Sequence, residues 1–176
     1  MDLRPDSTEG SSAMAPHSTN PTDSTKSTKK PFLPPRWVVK AAWRIHRKLY
    51  RVSGGRLGLR RPNDKTYGLM WVTTVGRRSG LERPVMLGYF DDGPNLVTMA
   101  MNGWGAPEPG WWLNVQSSPD VTANLVDEVR PVTGRAAAGT ERDRLWSRWQ
   151  EIDRNLDQYA ALRPSETAVV VFEPRR

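Results

Sequence analysis

The sequence predicts a mainly β fold, a small antiparallel barrel with peripheral helices. Six short segments rich in apolar and β-branched residues follow one another, and most of them are separated only by a tight turn. A parallel α/β sheet is excluded, because each of its crossover connections needs about a dozen residues or more. Longer stretches with helical spacing precede the first and the last of these segments, so the helices are expected around the barrel.

The N-terminal part divides into a tail and a helix. Residues 1–33 are rich in Ser, Thr, Pro and Asp and have no apolar periodicity. Burial therefore does not offset the entropy of ordering them, and we predict a disordered tail ahead of a barrel domain at residues 34–176. Pro35 suits the start of a basic, amphipathic helix from about Arg36 to Arg51. This helix either packs on the barrel, which we favour, or makes peripheral contact with an anionic membrane surface.

The first strands are bounded by turn residues and form two successive hairpins. The predicted strands and turns are, in chain order, Gly68–Thr74, Gly76–Gly80, Pro84–Phe90, Asp91–Pro94 and Asn95–Met101.

The second half of the chain adds a third hairpin, a helix and a final strand. A short helical turn around Trp111–Gln116 precedes two strands at Val121–Val126 and Val129–Arg135. Thr140, with Asp143 three residues on, then opens a predicted amphipathic helix in a capping-box-like pattern, and its apolar face recurs at three- and four-residue steps from Leu145 to Tyr159. Ala168–Phe172 is a continuous apolar run, typical of a buried strand.

The composition limits the chemistry. The chain has no cysteine, which excludes disulfides, thiolate metal sites and cysteine nucleophiles. The formal net charge is +7, and because four basic and four acidic residues cancel within the first thirty positions, the excess lies on the predicted domain. Such a surface suits phosphate-bearing cofactors, nucleic acid or anionic lipid. Without a membrane-spanning apolar run or a signal-peptide core, we expect a soluble, cytoplasmic protein.

The turn after the first predicted strand is a candidate anion-binding site. Between Thr73 and Leu81 the sequence frames Arg77, Arg78 and Ser79 with glycines, and Arg83 follows. Glycines let backbone amides face inward, and arginines bind phosphate or carboxylate oxygens bidentately. The residue types alone also fit a solvated hairpin tip.

A second candidate segment, residues 100–114, sets three tryptophans among glycines and prolines. They are Trp104, Trp111 and Trp112. Flat side chains beside glycine form a slot in which a planar heterocycle stacks while main-chain amides approach its edge. The alternative is that Trp111 and Trp112 only plug one end of the barrel.

Several familiar catalytic arrangements are missing. His17 and His46 are the two histidines, and neither a metal-ligand spacing nor a nucleophile elbow occurs. A chain without these groups, but with an anion-binding turn and an aromatic slot, is best explained by a bound cofactor that performs hydride chemistry.

At these two segments the sequence resembles the deazaflavin-dependent nitroreductase family, also described as F420-dependent quinone reductases. The family has a split β-barrel of the FMN-binding type. The resemblance begins near Leu49-Tyr50-Arg51, includes Thr-Thr-x-Gly-Arg-Arg-Ser-Gly at 73–80 and ends at 170–174. A glycine-rich loop and a Trp-aromatic-x-Asn segment of the family are matched by Asn102, Gly103, Pro109, Trp111 and Asn114.

The resemblance implies coenzyme F420 as the cofactor. Residues that it assigns to the phosphate and polyglutamate tail are Arg77, Arg78, Ser79, Gly80 and Arg83. Residues that it assigns to the deazaflavin are Met86, Leu87, Met99, Asn102, Trp111 and Asn114. The implied reaction passes the C5 hydride of the reduced cofactor to an electron-poor acceptor, namely a quinone, an activated alkene or a nitroaromatic.

The substrate end of the site departs from the family pattern. Residues placed in this pocket are Met101, Trp104 and Leu156. Met101 stands where many members have a small hydroxyl residue, and of the family's C-terminal tyrosines only Tyr159 remains. A bulkier, more apolar pocket favours quinones or conjugated enones over nitroimidazoles. Tyr159 is the candidate proton donor or orienting hydroxyl, with anchoring of the helix on the barrel as the alternative.

Three other functions are compatible with the residues. One is a split-barrel oxidoreductase that uses FMN, which also needs arginines for a phosphate. Another is a basic barrel that binds nucleic acid, a partner we do not expect. The third is a family member that binds the cofactor without turnover. The sequence sets no oligomeric state.

Overall fold

The computed structural model of the protein describes residues 58–103, 105 and 107–176. The predicted tail at residues 1–33, the predicted helix near 36–51 and Trp104 lie outside the described residues.

Six strands and three helices form the described part of the chain. The strands are β1 (Gly68–Val75), β2 (Glu82–Asp92), β3 (Asn95–Met99), β4 (Asp120–Asn124), β5 (Val129–Ala136) and β6 (Val169–Pro174). The helices are α1 (Gly110–Ser117), α2 (Gly139–Ile152) and α3 (Leu156–Ala160).

The strands close into an antiparallel barrel in the order β1-β2-β3-β6-β5-β4, with β4 pairing back onto β1. The three predicted hairpins are β1–β2, β2–β3 and β4–β5. β6 completes the barrel by lying between β3 and β5. The structure therefore confirms the predicted mainly β barrel with peripheral helices.

The apolar residues form an interior cluster and an outer layer. Successive side chains of a strand point to opposite faces of the sheet, and β6 shows the consequence. Val170 and Phe172 join the interior cluster, whereas Val169 and Val171 pack with Leu145 on the outside. Because α2 and α3 cover this outer face, β6 is buried on both sides and reads as a continuous apolar run.

Helix α1 contributes to the interior cluster. Trp111, Trp112 and Val115 pack there with side chains from all six strands. The approach is close at Gly134, where a β-carbon would lie 2.6 Å from a Val115 methyl and 2.8 Å from the Phe172 ring. Glycine at this position lets β5 pass beside the helix without displacing it.

The helix predicted from Thr140 to Tyr159 begins at Gly139 and is divided in the structure, and its N-cap is Ala138, without the side-chain cap predicted from Thr140 and Asp143. α2 ends at Ile152, and α3 begins at Leu156. Between them the Asp153 carboxylate accepts the backbone N–H of Asn155 at 3.0 Å. Such a local bond competes with the helical pattern, so the apolar periodicity continues across a break in the backbone.

Within the described ranges, no helix has the length and apolarity needed to cross a membrane.

Candidate functional site

A cleft of about 750 Å³ opens between the β1–β2 turn and the segment that leads into α1. Its lining residues are Gly76, Arg77, Arg78, Ser79, Arg83, Pro84, Val85, Met101, Asn102, Pro109, Gly110, Trp111 and Asn114. One wall is cationic and the other is aromatic and apolar. The structure therefore brings the two candidate segments of the sequence together at one site.

The cationic wall is a compact turn. The Gly76 N–H donates to the Leu81 carbonyl at 2.8 Å, and the Gly80 N–H donates to the Gly76 carbonyl at 2.7 Å. Gly80 has φ of 66°, in the left-handed region that glycine adopts at little cost. A β-carbon at Gly76 would lie only 2.8 Å from Ser79 Oγ. Gly80 therefore allows the turn to close, and Gly76 leaves room for the Ser79 hydroxyl.

Asn114 joins this turn to helix α1. Its Oδ1 accepts the backbone N–H and the guanidinium Nη1 of Arg77, both at 3.2 Å. Its Nδ2 donates to Thr74 Oγ1 at 3.1 Å, and the Thr74 hydroxyl donates to the Arg83 carbonyl at 3.2 Å. Asn114 and Thr74 are both buried. This chain of bonds, here called the Asn114 network, fixes the orientation of Arg77.

The charges of the turn have no carboxylate partner among the described residues. Within the described ranges, none of Arg77, Arg78 and Arg83 forms an ion pair with a carboxylate. Arg83 instead donates to the uncharged Ser79 hydroxyl at 3.2 Å. Three cations that face a cleft without a carboxylate partner make a site for a polyanionic ligand.

The opposite wall is rigid and flat. Trp111 is packed edge-on against Trp112 with ring centroids 6.1 Å apart, and it also contacts Phe172. Trp111 lies in the interior cluster and borders the cleft at the same time. Trp111 therefore packs in the end of the barrel, as one of the two alternatives predicts, and also borders the cleft.

Several predicted site residues lie away from the cleft lining. Met99 and Leu156 belong to the outer layer beneath α2. Leu87 is in the interior cluster, Met86 is half-buried on β2, and Gly80 contributes to the turn through its positive φ. The lining does not include the half-buried Tyr159 either. The structure thus gathers Arg77, Arg78, Ser79, Arg83, Met101, Asn102, Trp111 and Asn114 at the cleft, with Gly80 in the same turn, whereas the lining does not include Met86, Leu87, Met99, Leu156 or Tyr159.

The structure also adds residues that sequence reasoning did not assign to the site. Pro84, Val85 and Gly110 line the cleft, and Thr74 carries the Asn114 network. Thr74 belongs to the Thr-Thr-x-Gly-Arg-Arg-Ser-Gly motif at residues 73–80, but its structural role is apparent only from its buried position.

A second groove, of about 570 Å³, lies between the end of β2 and α2. Its charges are largely paired: hydrogen bonds from Arg144 hold the pKa of Asp92 below its usual value, whereas burial raises the pKa of Asp91. Across the residues with a described position, no group of three or more His, Asp or Glu side chains is arranged to hold a metal ion. The cleft beside Trp111 is the better candidate for function.

Comparisons with known proteins point to one family. The family model described as F420H(2)-dependent quinone reductase matches residues 42–174. An F420H(2)-dependent quinone reductase of Mycobacterium tuberculosis strain H37Rv is 30% identical over 135 residues, which cover 76% of this chain and 89% of that protein.

Two solved structures resemble the barrel, and one of them is named as an F420H2-dependent reductase. One, described as a domain-swapped dimer, has a TM-score of 0.59 at 27% identity and covers 78% of this chain and 97% of its own. The other, an F420H2-dependent reductase, has a TM-score of 0.55 at 26% identity and covers 66% of this chain and all of its own (100%).

Proposed function

The chain belongs to the F420H(2)-dependent quinone reductase family, an oxidoreductase family, and from that premise we propose that it binds coenzyme F420 in the cleft and reduces an electron-poor organic acceptor. The family match confirms the resemblance seen in the sequence at residues 73–80 and 102–114. The observation that carries the proposal is the set of unneutralised arginines opposite a flat tryptophan.

The residues of the cleft fit this cofactor. F420 combines a planar deazaflavin with a tail that carries a phosphate and glutamate carboxylates. Arg77, Arg78 and Arg83 supply forked donors for such oxygens, and Trp111 supplies a flat face for the ring. The volume of about 750 Å³ lies within the usual range for small-molecule sites.

Positioning is the main contribution of the protein. When bound, reduced F420 supplies the hydride. The turn would hold the anionic tail, and the rigid packing of Trp111 against Trp112 and Phe172 would fix the plane of the ring. Holding two reactants in a productive geometry removes much of the entropic barrier to their reaction.

The chemistry of the lining favours an acceptor that is apolar and conjugated. Met101, Pro109 and Val85 border the cleft, and among its described lining residues the charged ones are arginines alone. A quinone or a conjugated enone therefore suits it better than a nitroaromatic. Without an acid in this lining, water at the open mouth supplies the proton that accompanies the hydride.

Fluorescence titration of the purified protein with F420 tests the first step, and a screen of acceptors that follows loss of reduced F420 tests the second. We expect saturable binding and faster turnover with quinones and enones than with nitroaromatics. Binding without turnover on any acceptor would contradict the reductase assignment. A protein that purifies yellow with bound FMN and does not bind F420 would contradict the proposed cofactor.

A further inference from the structure

The loop at residues 101–109 connects β3 to α1 and supplies both ends of the apolar wall. Met101 and Asn102 begin it, and Pro109, which ends it, leads directly into Gly110 and Trp111. The separation of these two ends sets how far Met101 stands from the tryptophan. A residue that holds the two ends of this loop together therefore also sets the shape of the cleft where the deazaflavin and the acceptor would meet.

One buried guanidinium reaches both ends of this loop. Arg163 Nη1 donates to the Ala100 carbonyl at 2.6 Å, one residue before Met101. Arg163 Nη2 donates to Glu108 Oε1 at 2.7 Å, one residue before Pro109. A further bond from Nη1 to Thr167 Oγ1 at 3.0 Å ties the guanidinium to the chain just before β6. We call this arrangement the Arg163 clamp.

The burial of Arg163 sets it apart from the other ion-paired arginines. Its side chain is 0% exposed, whereas those of the others in the described ranges run from 22% for Arg142 to 71% for Arg61. A buried ion pair is often replaceable by apolar residues without loss of stability, because desolvation offsets the attraction. Stability alone therefore does not explain the buried guanidinium. Its bonds to the two ends of the loop suggest that it fixes their positions.

We propose that Arg163 is a positioning residue for the reduction, acting through Ala100 and Glu108 to fix the wall formed by Met101 and Trp111. This inference rests on the proposed function, because it concerns the geometry of the same cleft. The planar fork is essential to it, since an ammonium group presents its donors from a single point and cannot span the two ends in the same way.

The test compares Arg163→Met and Arg163→Lys with a control, Arg135→Met. Arg135 also binds two chain segments, through Glu141 and Glu173, but it does not line the cleft. Three quantities are measured for each variant: the F420 dissociation constant, kcat with a quinone, and hydrogen exchange of the peptide that spans residues 100–110.

We expect kcat to fall on the order of 100-fold in Arg163→Met, as small displacements of reacting groups can produce. The F420 dissociation constant should change by only about twofold, because the hydrogen bonds of Arg163 go to Ala100, Thr167 and Glu108 and not to the turn that would hold the tail. Arg163→Lys should resemble Arg163→Met in kcat. Exchange should rise at residues 100–110 in both and stay at the wild-type level in Arg135→Met.

If Arg163→Met does not fold, Glu108→Gln keeps the inference open to refutation. It retains an acceptor but weakens the charge-assisted bond, so kcat should fall roughly tenfold with the same rise in exchange. Wild-type kcat in Arg163→Lys or Glu108→Gln, or unchanged exchange in the loop, would overturn the clamp. Wild-type protein that binds no F420 would overturn the proposed function instead, and the exchange measurement would still decide whether the clamp exists.

Discussion

The arginines of the β1–β2 turn and the arginine beneath the 101–109 loop are held in opposite ways. Arg77, Arg78 and Arg83 are exposed, and their protein partners, Asn114 and Ser79, are uncharged. Arg163 is fully buried, and its charge is paired with the Glu108 carboxylate. The turn arginines line the cleft, whereas Arg163 is bonded to Ala100 and Glu108, each next to a residue of the lining.

This difference separates binding from positioning. An uncharged partner orients a guanidinium but leaves its charge for a ligand, whereas a carboxylate partner uses that charge within the fold. Sequence composition gives both kinds of arginine the same weight in the net charge of +7. Only the identity of each partner shows which arginines are available to an anion.

The largest expected effect comes from removing the cations of the turn. In the double variant Arg77→Ala/Arg78→Ala we expect F420 affinity to fall by more than about 100-fold, since each charge-assisted bond contributes roughly 1.5 to 3 kcal/mol. The free energy of unfolding should change by no more than about 0.5 kcal/mol, because both side chains are exposed. Fluorescence titration and chemical denaturation measure the two quantities.

A matched control is Arg144→Ala/Arg175→Ala, which removes the same charge from two ion-paired arginines outside the cleft. It should leave F420 affinity within about twofold of wild type, as expected of distant sites. Equal losses in the two double variants would mean that net charge, and not the turn, attracts the cofactor.

A smaller effect is expected from the uncharged partner that orients Arg77. Asn114→Ala removes the acceptor of two Arg77 bonds and leaves the buried Thr74 hydroxyl without its donor. We expect F420 affinity to fall roughly tenfold and the free energy of unfolding to fall by about 1 to 3 kcal/mol. Thr74→Val, which keeps the shape of the side chain, should show the stability loss with a lesser change in affinity. Wild-type affinity in Asn114→Ala would show that Arg77 needs no fixed orientation.

The cleft could be predicted from sequence where its residues are local. The β1–β2 turn is one continuous motif, and α1 begins within the aromatic segment at residues 100–114, so residue types and spacing predict both. The Arg163 clamp could not be predicted in this way. Arg163 and Glu108 are 55 positions apart, and a single pair at that separation leaves no periodic signal.

Two further residues illustrate what periodicity leaves undecided. The family resemblance places Met99 at the deazaflavin, but on β3 it alternates with Leu96 and Ala100 of the interior cluster and so faces the outer layer. The resemblance also places Leu156 in the substrate pocket, and the apolar periodicity predicts one continuous helix there. The Asp153–Asn155 turn starts a new helix there, and Leu156 packs beneath α2. Strand parity and helix breaks of this kind are decided by tertiary packing.

The pH dependence of stability should also distinguish an arginine with carboxylate partners, here Arg135, from the arginines of the turn. A hydrogen bond from Arg135 holds the pKa of Glu141 below its usual value. A carboxyl with a lowered folded-state pKa contributes stability above its unfolded pKa, about 4, and that contribution disappears as pH falls through the folded-state value. Thermal denaturation below about pH 4.3 should therefore be less pH-dependent in Arg135→Met than in wild type. Arg77→Ala/Arg78→Ala should follow the wild-type profile, and a flattened profile in that variant would reveal a carboxylate partner of the turn.

The smallest effect is expected at Tyr159, the candidate proton donor of the sequence analysis. The cleft lining does not include its side chain, and the aromatic wall is formed by Trp111. Tyr159→Phe should therefore leave kcat and its pH dependence unchanged with a quinone acceptor, because the proposed mechanism takes its proton from solvent. A loss of turnover in Tyr159→Phe with unchanged F420 affinity would mean that α3 moves against the cleft during the reaction. The proton would then come from Tyr159, and α3 would form part of the active site together with the arginine turn.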